Sequence, residues 1–182
     1  MELKKIIFIF LIILYTTGCK KEEVQPVVEF PAYKESGTHT AAFENKGIAY
    51  IVHNNVKDTS GIIGYYIYPN FWYELHYIKG ITKKIVRINI NNLNRLGAYK
   101  IGGIQLGTDH NYAHFEEWKG TVRDQIYVTN SEFEGSLTIT KFDTANKIIA
   151  GYFNFNAEDF YFGDTTSISR GQFDIIYDSS IR

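Results

Sequence analysis

Histidine and carboxylate side chains, which bind metals and carry out acid–base chemistry, are most concentrated in the segment H-N-Y-A-H-F-E-E, from His110 to Glu117. If a strand follows the first residues, His114 and Glu116 point to the same side, and His110 lies in the preceding loop. Three or four converging ligands make a zinc site. His110, His114 and Glu116 are therefore a candidate metal site, although ordinary loop and strand residues would give the same spacing, which matches no named motif.

Other catalytic arrangements find little support in the sequence. There is no G-x-S-x-G motif for a nucleophilic serine and no phosphate-binding loop. The pairs Glu116-Glu117 and Glu158-Asp159 are adjacent in sequence, and neighbours on a strand point to opposite faces of a sheet. We therefore expect no enzyme and no cofactor, with a small metal-dependent hydrolase using the segment from His110 to Glu117 as the alternative.

Aromatic residues are the second feature with a chemical use. The chain has 14 Tyr and 13 Phe, and they crowd the region between Tyr65 and Tyr77. Exposed amphipathic rings suit contacts with glycans or proteins. Tyr66, Tyr68 and Trp72 are therefore candidate ligand-binding residues, whereas the alternative is that strands simply favour Tyr and Phe.

The N-terminus has the layout of a targeting segment. Lys4 and Lys5 precede an apolar run, Ile6 to Tyr15, and the sequence T-T-G-C ends at Cys19. A spanning helix needs about 20 residues, so the run is too short to cross a bilayer, and it is typical of a secretory signal. The segment resembles a bacterial lipoprotein lipobox, although Thr16 stands where such motifs usually carry Leu. The resemblance implies cleavage before Cys19, acylation of that residue, and the membrane as a partner.

The residues after the cysteine suggest where the anchored protein resides. The sequence C-K-K-E-E is similar to the surface-export signal of Bacteroidota lipoproteins, which implies a surface-exposed outer-membrane protein. The alternative is a solvated tether and a protein that faces the periplasm. The expected division is 1–18 signal peptide, 19–37 acylated cysteine and tether, and 38–182 an all-β domain.

Composition agrees with an exported, lipid-anchored chain. Cys19 is the sole cysteine, so no internal disulfide can form. Loss of Glu2, Lys4 and Lys5 with the signal peptide reduces 19 basic and 20 acidic residues to 17 and 19. This near balance gives no reason to expect nucleic acid as a partner.

Apolar and polar residues alternate along most of the remaining chain, which is the period of half-buried strands. Turn residues such as Asn45-Lys46-Gly47 separate the runs. No segment shows a sustained helical period, although Asn91 to Leu96 could form a short helical turn or a loop. The pattern predicts a single antiparallel β-sandwich or flattened barrel of about ten short strands, mostly a meander.

Register can be predicted for the hairpin that begins at Ser136. A loop of five residues, Asp143 to Lys147, or a bulge, places Leu137 opposite Phe153 and puts both on one face. We favour the five-residue loop, because a slip by one residue turns every side chain over. Gly151 and Gly171 interrupt strands, and a cross-strand aromatic ring over the bare backbone would explain them.

The C-terminal part carries a specific resemblance. G-S-L-T-I-T-K-F-D-x-x-N-K-I-I-A-G-Y-F-N-F followed by S-R-G-Q-F-D resembles a domain family of unknown function among Bacteroidota lipoproteins. The resemblance spans Thr38 to Tyr177, and the E-N-K-G turn near its start differs from the family's N-G turn by the inserted Lys46. It implies a lipid-anchored all-β domain and brings no catalytic residue.

Two short motifs resemble the Bacteroidota O-glycosylation signal. They are Asp143-Thr144-Ala145 and Asp164-Thr165-Thr166, with Thr144 and Thr165 as the acceptors. Ordinary Asp-Thr turn chemistry is the alternative. Taken together, the sequence favours a lipid-anchored binding or accessory module for a glycan or protein ligand, with the hydrolase and a purely structural envelope protein as alternatives.

Overall fold

The computed structural model describes residues 29–53, 61–103 and 110–179. These residues form eleven antiparallel strands, which confirms the predicted all-β class and adds one strand to the predicted number. Within the described ranges no helix has the length and apolar character needed to span a membrane. The strands are β1 Thr40–Asn45, β2 Ile48–His53, β3 Gly61–Ile67, β4 Asn70–Lys79, β5 Thr82–Ile90, β6 Gly97–Ile101, β7 Tyr112–Lys119, β8 Val122–Val128, β9 Gly135–Asp143, β10 Ile148–Asp159 and β11 Thr165–Ile176.

All eleven strands belong to one sheet. The order along its main path is β2-β1-β11-β10-β8-β7-β5-β4-β3, and β6 pairs with β9, which pairs with β10. Strands β10 and β8 share only two paired positions, Glu158 with Val128 and Asp159 with Tyr127. Because this link is short, the sheet divides there into two layers: β1, β2, β6, β9, β10 and β11 form one, and β3, β4, β5, β7 and β8 the other.

Aromatic rings from the two layers pack against each other to form the core. Tyr73 of β4 lies 4.8 Å from Phe173 of β11, measured between ring centroids. Tyr50 of β2 lies 5.0 Å from Tyr77 of β4. The arrangement is sandwich-like, and the alternating apolar residues of β4 (Phe71, Tyr73, Leu75 and Tyr77) face the core as the alternation predicts.

Two connections between strands, the turn from β1 to β2 and residues 91–96, can be compared with the sequence predictions. The predicted turn at Asn45-Lys46-Gly47 joins β1 to β2, and both Lys46 (φ 51°) and Gly47 (φ 76°) have the positive φ that a tight two-residue hairpin requires. Residues 91–96 form a loop and not a helical turn. Asparagine side chains compete for backbone hydrogen bonds, which explains the preference for a loop.

The predicted pairing of β9 with β10 is confirmed, but the predicted loop length is wrong. Leu137 pairs with Phe153. The loop contains only Thr144–Lys147, since Asp143 already pairs with Ile148. A bulge in β9 opposite the step between Ala150 and Gly151 then shifts the register to the expected pairs.

Gly151 and Gly171 are required in their strands for different structural reasons. A Cβ on Gly171 would lie 2.4 Å from ring atoms of Phe153, so the predicted aromatic ring does cover this backbone. A Cβ on Gly151 would lie 2.2 Å from the carbonyl oxygen of Thr138. At Gly151 the glycine therefore permits close approach of backbone at the bulge, and the predicted aromatic cover is wrong there.

Residues 30–38 form an N-terminal strap that packs along β11. The Gln172 side chain donates a hydrogen bond of 2.7 Å to the carbonyl oxygen of Pro31. The buried carboxylate of Asp174 accepts backbone hydrogen bonds from Gly37 (2.7 Å) and Thr38 (3.0 Å). These bonds attach to the sheet the last part of the segment that the sequence assigns to the tether.

Candidate functional site

The outer face of the layer formed by β3, β4, β5 and β7 carries a row of polar and aromatic side chains. In this row Tyr65 pairs with Trp72, Trp72 with Asn89, and Asn89 with Tyr112. Alternation along each strand turns these side chains away from the core. Register therefore aligns one side chain from each of four strands on the surface.

A groove lies on this face beside Trp72. Its volume is about 470 Å³, and the Trp72 side chain is 46% exposed. The groove is lined by Ile63, Tyr65, Ile67, Asn70, Trp72, Glu74 and Asn89. An exposed indole with apolar neighbours and amide groups is suited to binding a ligand that has both apolar and hydroxyl surfaces.

An ionic network lies next to the groove, with Arg87 of β5 at its centre. Its Nε donates to Glu74 Oε1 at 2.7 Å, and its Nη1 donates to Glu116 Oε1 at 2.6 Å. The same Nη1 lies 3.0 Å from His114 Nε2, which accepts the hydrogen bond. One guanidinium therefore links strands β4, β5 and β7 across the outer face.

Two further donors bond the second carboxylate oxygen of Glu74 and of Glu116. His76 Nε2 donates to Glu74 Oε2 at 2.8 Å, and Trp118 Nε1 donates to Glu116 Oε2 at 2.6 Å. Each oxygen of both glutamates thus has a partner. Charged groups that are paired in this way hold their geometry firmly, so the network forms a rigid floor beside the groove.

The network shifts the ionisation of two of its members. Burial opposes ionisation of Glu74, but the hydrogen bond from His76 and the charge of Arg87 outweigh it, so the pKa of Glu74 is lowered. Burial, and next the charge of Arg87, lower the pKa of His114 to about 4. At neutral pH the site therefore contains an ionised Glu74 and a neutral imidazole at position 114.

The structure places the three candidate metal ligands differently. His114 and Glu116 are adjacent and buried, with His114 Nε2 3.4 Å from Glu116 Oε1, but Arg87 already occupies both atoms. His110 is exposed in the bend before β7, beside Gly103. Across residues 29–53, 61–103 and 110–179 no three His, Cys, Asp or Glu side chains are arranged to hold a metal ion.

The three candidate aromatic residues also have different positions. Trp72 lies in the groove. Tyr66 packs on the core side against Phe142 (5.1 Å) and donates its hydroxyl hydrogen to the carbonyl oxygen of Leu93 at 3.0 Å. Tyr68 is exposed in the turn between β3 and β4. Of the three, the structure brings only Trp72 to the groove.

The remaining candidate positions can be located in part. Thr144 is exposed in the turn between β9 and β10, where Asp143 accepts the backbone hydrogens of Ala145 and Asn146. Thr165 is exposed at the start of β11. Cys19 lies outside the described residues, so its acylation stays a prediction.

Several residues of the site were not predicted from the sequence. Tyr65, Glu74, Arg87 and Asn89 share the outer face. Alternation along β4 and β5 could have put Glu74, Arg87 and Asn89 on an outer face, but β3 shows no alternation around Tyr65, and strand pairing was needed to bring all four together.

Comparison with known proteins adds a family. No curated protein and no solved structure matches the chain. The family model described as a domain of unknown function (DUF6252) matches residues 75–176, more than half of the chain, from β4 to the end of β11. The match includes Arg87, His114 and Glu116, and it begins just after Trp72 and Glu74. The chain therefore belongs to the DUF6252 family.

Proposed function

We propose that this protein is a binding module held at the outer membrane by an acylated Cys19, and that its ligand binds in the groove beside Trp72. The observation that carries the proposal is the groove itself: a half-exposed indole flanked by Tyr65 on one neighbouring strand and Asn89 on the other. A concave site lined by aromatic and apolar side chains with a few polar groups has the usual make-up of a ligand-binding site.

The chemistry of the groove favours a saccharide over a charged ligand. The Trp72 ring offers a flat apolar surface for a sugar ring, and the amides of Asn70 and Asn89 can donate to and accept from hydroxyl groups. Both oxygens of Glu74 are already bonded to Arg87 and His76. Among the described residues that line the groove, the one charged residue, Glu74, is thus already bonded through both oxygens, and a neutral ligand with hydroxyl groups fits best.

The anchor is supported by the N-terminal sequence. Basic residues, a short apolar run and a terminal Gly18-Cys19 precede the described domain. Two or more acyl chains hold a protein stably on a bilayer, since each buried methylene contributes about 0.8 kcal/mol. The charged residues after Cys19 favour a surface-exposed position, and a periplasm-facing position is the alternative.

Tryptophan fluorescence can test the groove directly, because Trp72 and Trp118 are the two indoles of the chain. Fluorescence titrations with soluble oligosaccharides of different monosaccharide composition detect binding to the unaltered protein. Isothermal titration calorimetry then measures Kd for this protein, for Trp72→Ala, which lacks the reporting indole, and for Leu96→Ala. Leu96 is an exposed apolar residue in the loop after β5, outside the groove lining, and serves as the matched control. We expect Trp72→Ala to weaken binding by about 2 kcal/mol, roughly 30-fold in Kd.

Two results would contradict the proposal. One is the absence of a saturable fluorescence change with every oligosaccharide tested. The other is equal affinity of the Trp72→Ala and Leu96→Ala proteins for a saccharide that does bind. In the second case the protein binds glycans elsewhere.

A further inference from the structure

Four turns lie together at one end of the sandwich, and we refer to residues 46–48, 79–83, 119–124 and 159–164 as the turn end. The backbone nitrogen of Gly120 donates to the carbonyl oxygen of Ile81 at 2.6 Å, which joins two of these turns. The backbone nitrogen of Phe160 donates to the carbonyl oxygen of Ile126 in β8 at 2.9 Å. The side-chain amide of Asn45 donates to the hydroxyl oxygen of Thr166 at 2.7 Å. These bonds bring turns from both layers to a common end.

Large apolar side chains project from every one of these turns. Phe160, Tyr161 and Phe162 follow each other in sequence, and Phe162 is 77% exposed. The buried Asp159 fixes this turn, because its Oδ1 accepts the backbone hydrogens of Tyr161 and Phe162, both at 2.8 Å. The other turns contribute the exposed residues Ile48, Ile81 and Val122. Rings held outward by these two hydrogen bonds are not available to the core.

Basic residues flank these apolar tips. The four turns contain five basic residues and three acidic ones, whereas the whole chain has 19 basic and 20 acidic residues. The basic ones are Lys46, Lys79, Lys83, Lys119 and Arg123. Of the acidic ones, Asp124 and Asp164 are exposed and Asp159 is buried. The turn end is thus locally positive on a chain that is slightly negative, which suits an anionic surface.

The chain also reaches the domain near this end. Phe30 lies 4.3 Å from the Arg170 guanidinium, and Arg170 forms an ion pair of 3.3 Å with Glu44, next to the Asn45-Lys46-Gly47 turn. From Cys19 to Glu29 a chain spans at most about 3.5 Å per residue, some 35 Å in all. An anchor at Cys19 would therefore leave this end of the sandwich within reach of the bilayer.

We infer that the turn end is a membrane-contact surface, at which the aromatic and aliphatic tips enter the headgroup region of an anionic phospholipid bilayer and the flanking lysines and arginine contact phosphate groups. The inference rests on the proposed acylation of Cys19 for its orientation. Aromatic rings with adjacent basic residues are the side chains that favour the membrane interface. In this orientation the turn between β3 and β4, at the opposite end, faces away from the bilayer.

Tryptophan placed at each end can report this orientation. Phe162→Trp and Tyr68→Trp introduce an indole at two exposed aromatic positions at opposite ends. The lipidated proteins are reconstituted on vesicles of equal parts phosphatidylcholine and phosphatidylglycerol, with and without brominated acyl chains, and unaltered protein provides the baseline. We expect brominated lipid to quench the added fluorescence of Phe162→Trp and to leave that of Tyr68→Trp unchanged.

Charge variants provide a second measurement on the same vesicles. Lys119→Glu, combined with Phe162→Trp, should lose part of the quenching, and salt should reduce it further, since charges are screened beyond about 10 Å at 0.1 M. Arg95→Glu, an exposed basic position in the loop after β5, is the matched control and should leave the quenching unchanged.

The outcomes separate this inference from the proposed function. If the lipidated protein does not float with the vesicles, both the anchor and the membrane contact are wrong. If it floats and brominated lipid quenches both indoles equally or neither, only the membrane contact is wrong. A blue shift of Phe162→Trp fluorescence that depends on protein concentration and not on lipid would assign the turn end to self-association instead.

Discussion

At the scale of single residues, His114 shows how a neighbouring cation and burial together decide a protonation state. Its side chain is buried and faces Arg87 of β5, Glu116 of its own strand, Glu74 of β4 and Arg123 of β8. Burial disfavours the charged ring, the charge of Arg87 acts next in the same direction, and together they outweigh the attraction of Glu116 and Glu74, so the pKa of His114 is lowered. The imidazole therefore accepts a hydrogen bond from Arg87 and stays neutral near pH 7.

This state makes the stability of the fold depend on pH. The folded pKa of His114 is about 4, below the value near 6.5 expected when the chain is unfolded, so the unfolded chain binds more protons in that range. We expect the free energy of unfolding to fall by about 3 kcal/mol from His114 alone between pH 7 and pH 4. Urea unfolding at a series of pH values measures the slope.

A matched pair of variants isolates this contribution. His114→Gln retains an acceptor for Arg87 and removes the titrating ring, so part of the slope between pH 7 and pH 4 should disappear. His53→Gln, at an exposed position at the end of β2, should leave the slope unchanged. An identical slope in wild type and His114→Gln would show that the imidazole is not the titrating group.

At the scale of elements, the pairing of β10 with β11 depends on a glycine, Gly171, whose missing side chain leaves room for an aromatic ring. Phe153 pairs with Gly171, and the Phe153 ring lies over the Gly171 backbone. That ring is in turn 6.1 Å from Tyr73 of the facing layer, so its position is fixed from both sides. A strand glycine here serves core packing and not backbone flexibility.

Substitution of Gly171 tests this packing. In Gly171→Ala the new methyl group would lie 2.4 Å from the Phe153 ring, which must move within a close-packed core. We expect a loss of about 1–3 kcal/mol in the free energy of unfolding, measured by urea denaturation. Gly61→Ala in β3 is the control, because no atom of the described part of the chain lies within 4 Å of its added Cβ. Equal stability of the two variants would show that the ring does not require the glycine.

At the scale of the whole molecule, the anchor and the domain are expected to be independent. The chain has no second cysteine, and the core consists of residues from β1 to Tyr177. No disulfide or core contact of the described residues involves Cys19. The proposed function thus separates attachment, which depends on the N-terminal segment, from ligand binding, which depends on the sheet.

Replacement of Cys19 by Ser tests that separation. We expect Cys19→Ser to abolish labelling by a fatty-acid probe and to move the protein out of the outer-membrane fraction, since no thiol remains to be acylated. The fold should be unchanged, as measured by circular dichroism and thermal unfolding of the purified protein. Continued labelling and sedimentation with outer membranes would rule out the lipid anchor.

The sequence by itself determined the class of fold and the position of most strands. Alternation of apolar and polar residues reports on one-sided burial, which is a local property, so β4, β10 and β11 could be located without a structure. The hairpin pairing of Leu137 with Phe153 was also accessible, since only one register puts both on the same face. The sequence did not show that a bulge in β9 produces this register, because a five-residue loop without a bulge gives the same pairing of Leu137 with Phe153.

Tertiary structure alone decided the site. In β3 the sequence I-I-G-Y-Y-I is apolar at both alternating sets of positions, so it does not show whether Tyr65 or Tyr66 faces outward. The choice is made where Gly64 allows the side chain of Ile175 to approach its backbone, which turns Tyr66 inward and Tyr65 to the groove. Likewise Glu74, Arg87 and Glu116 are far apart in sequence, and only the pairing of β4, β5 and β7 brings their charges together. Burial pattern is encoded locally, whereas contacts between strands depend on how the whole sheet pairs and folds over.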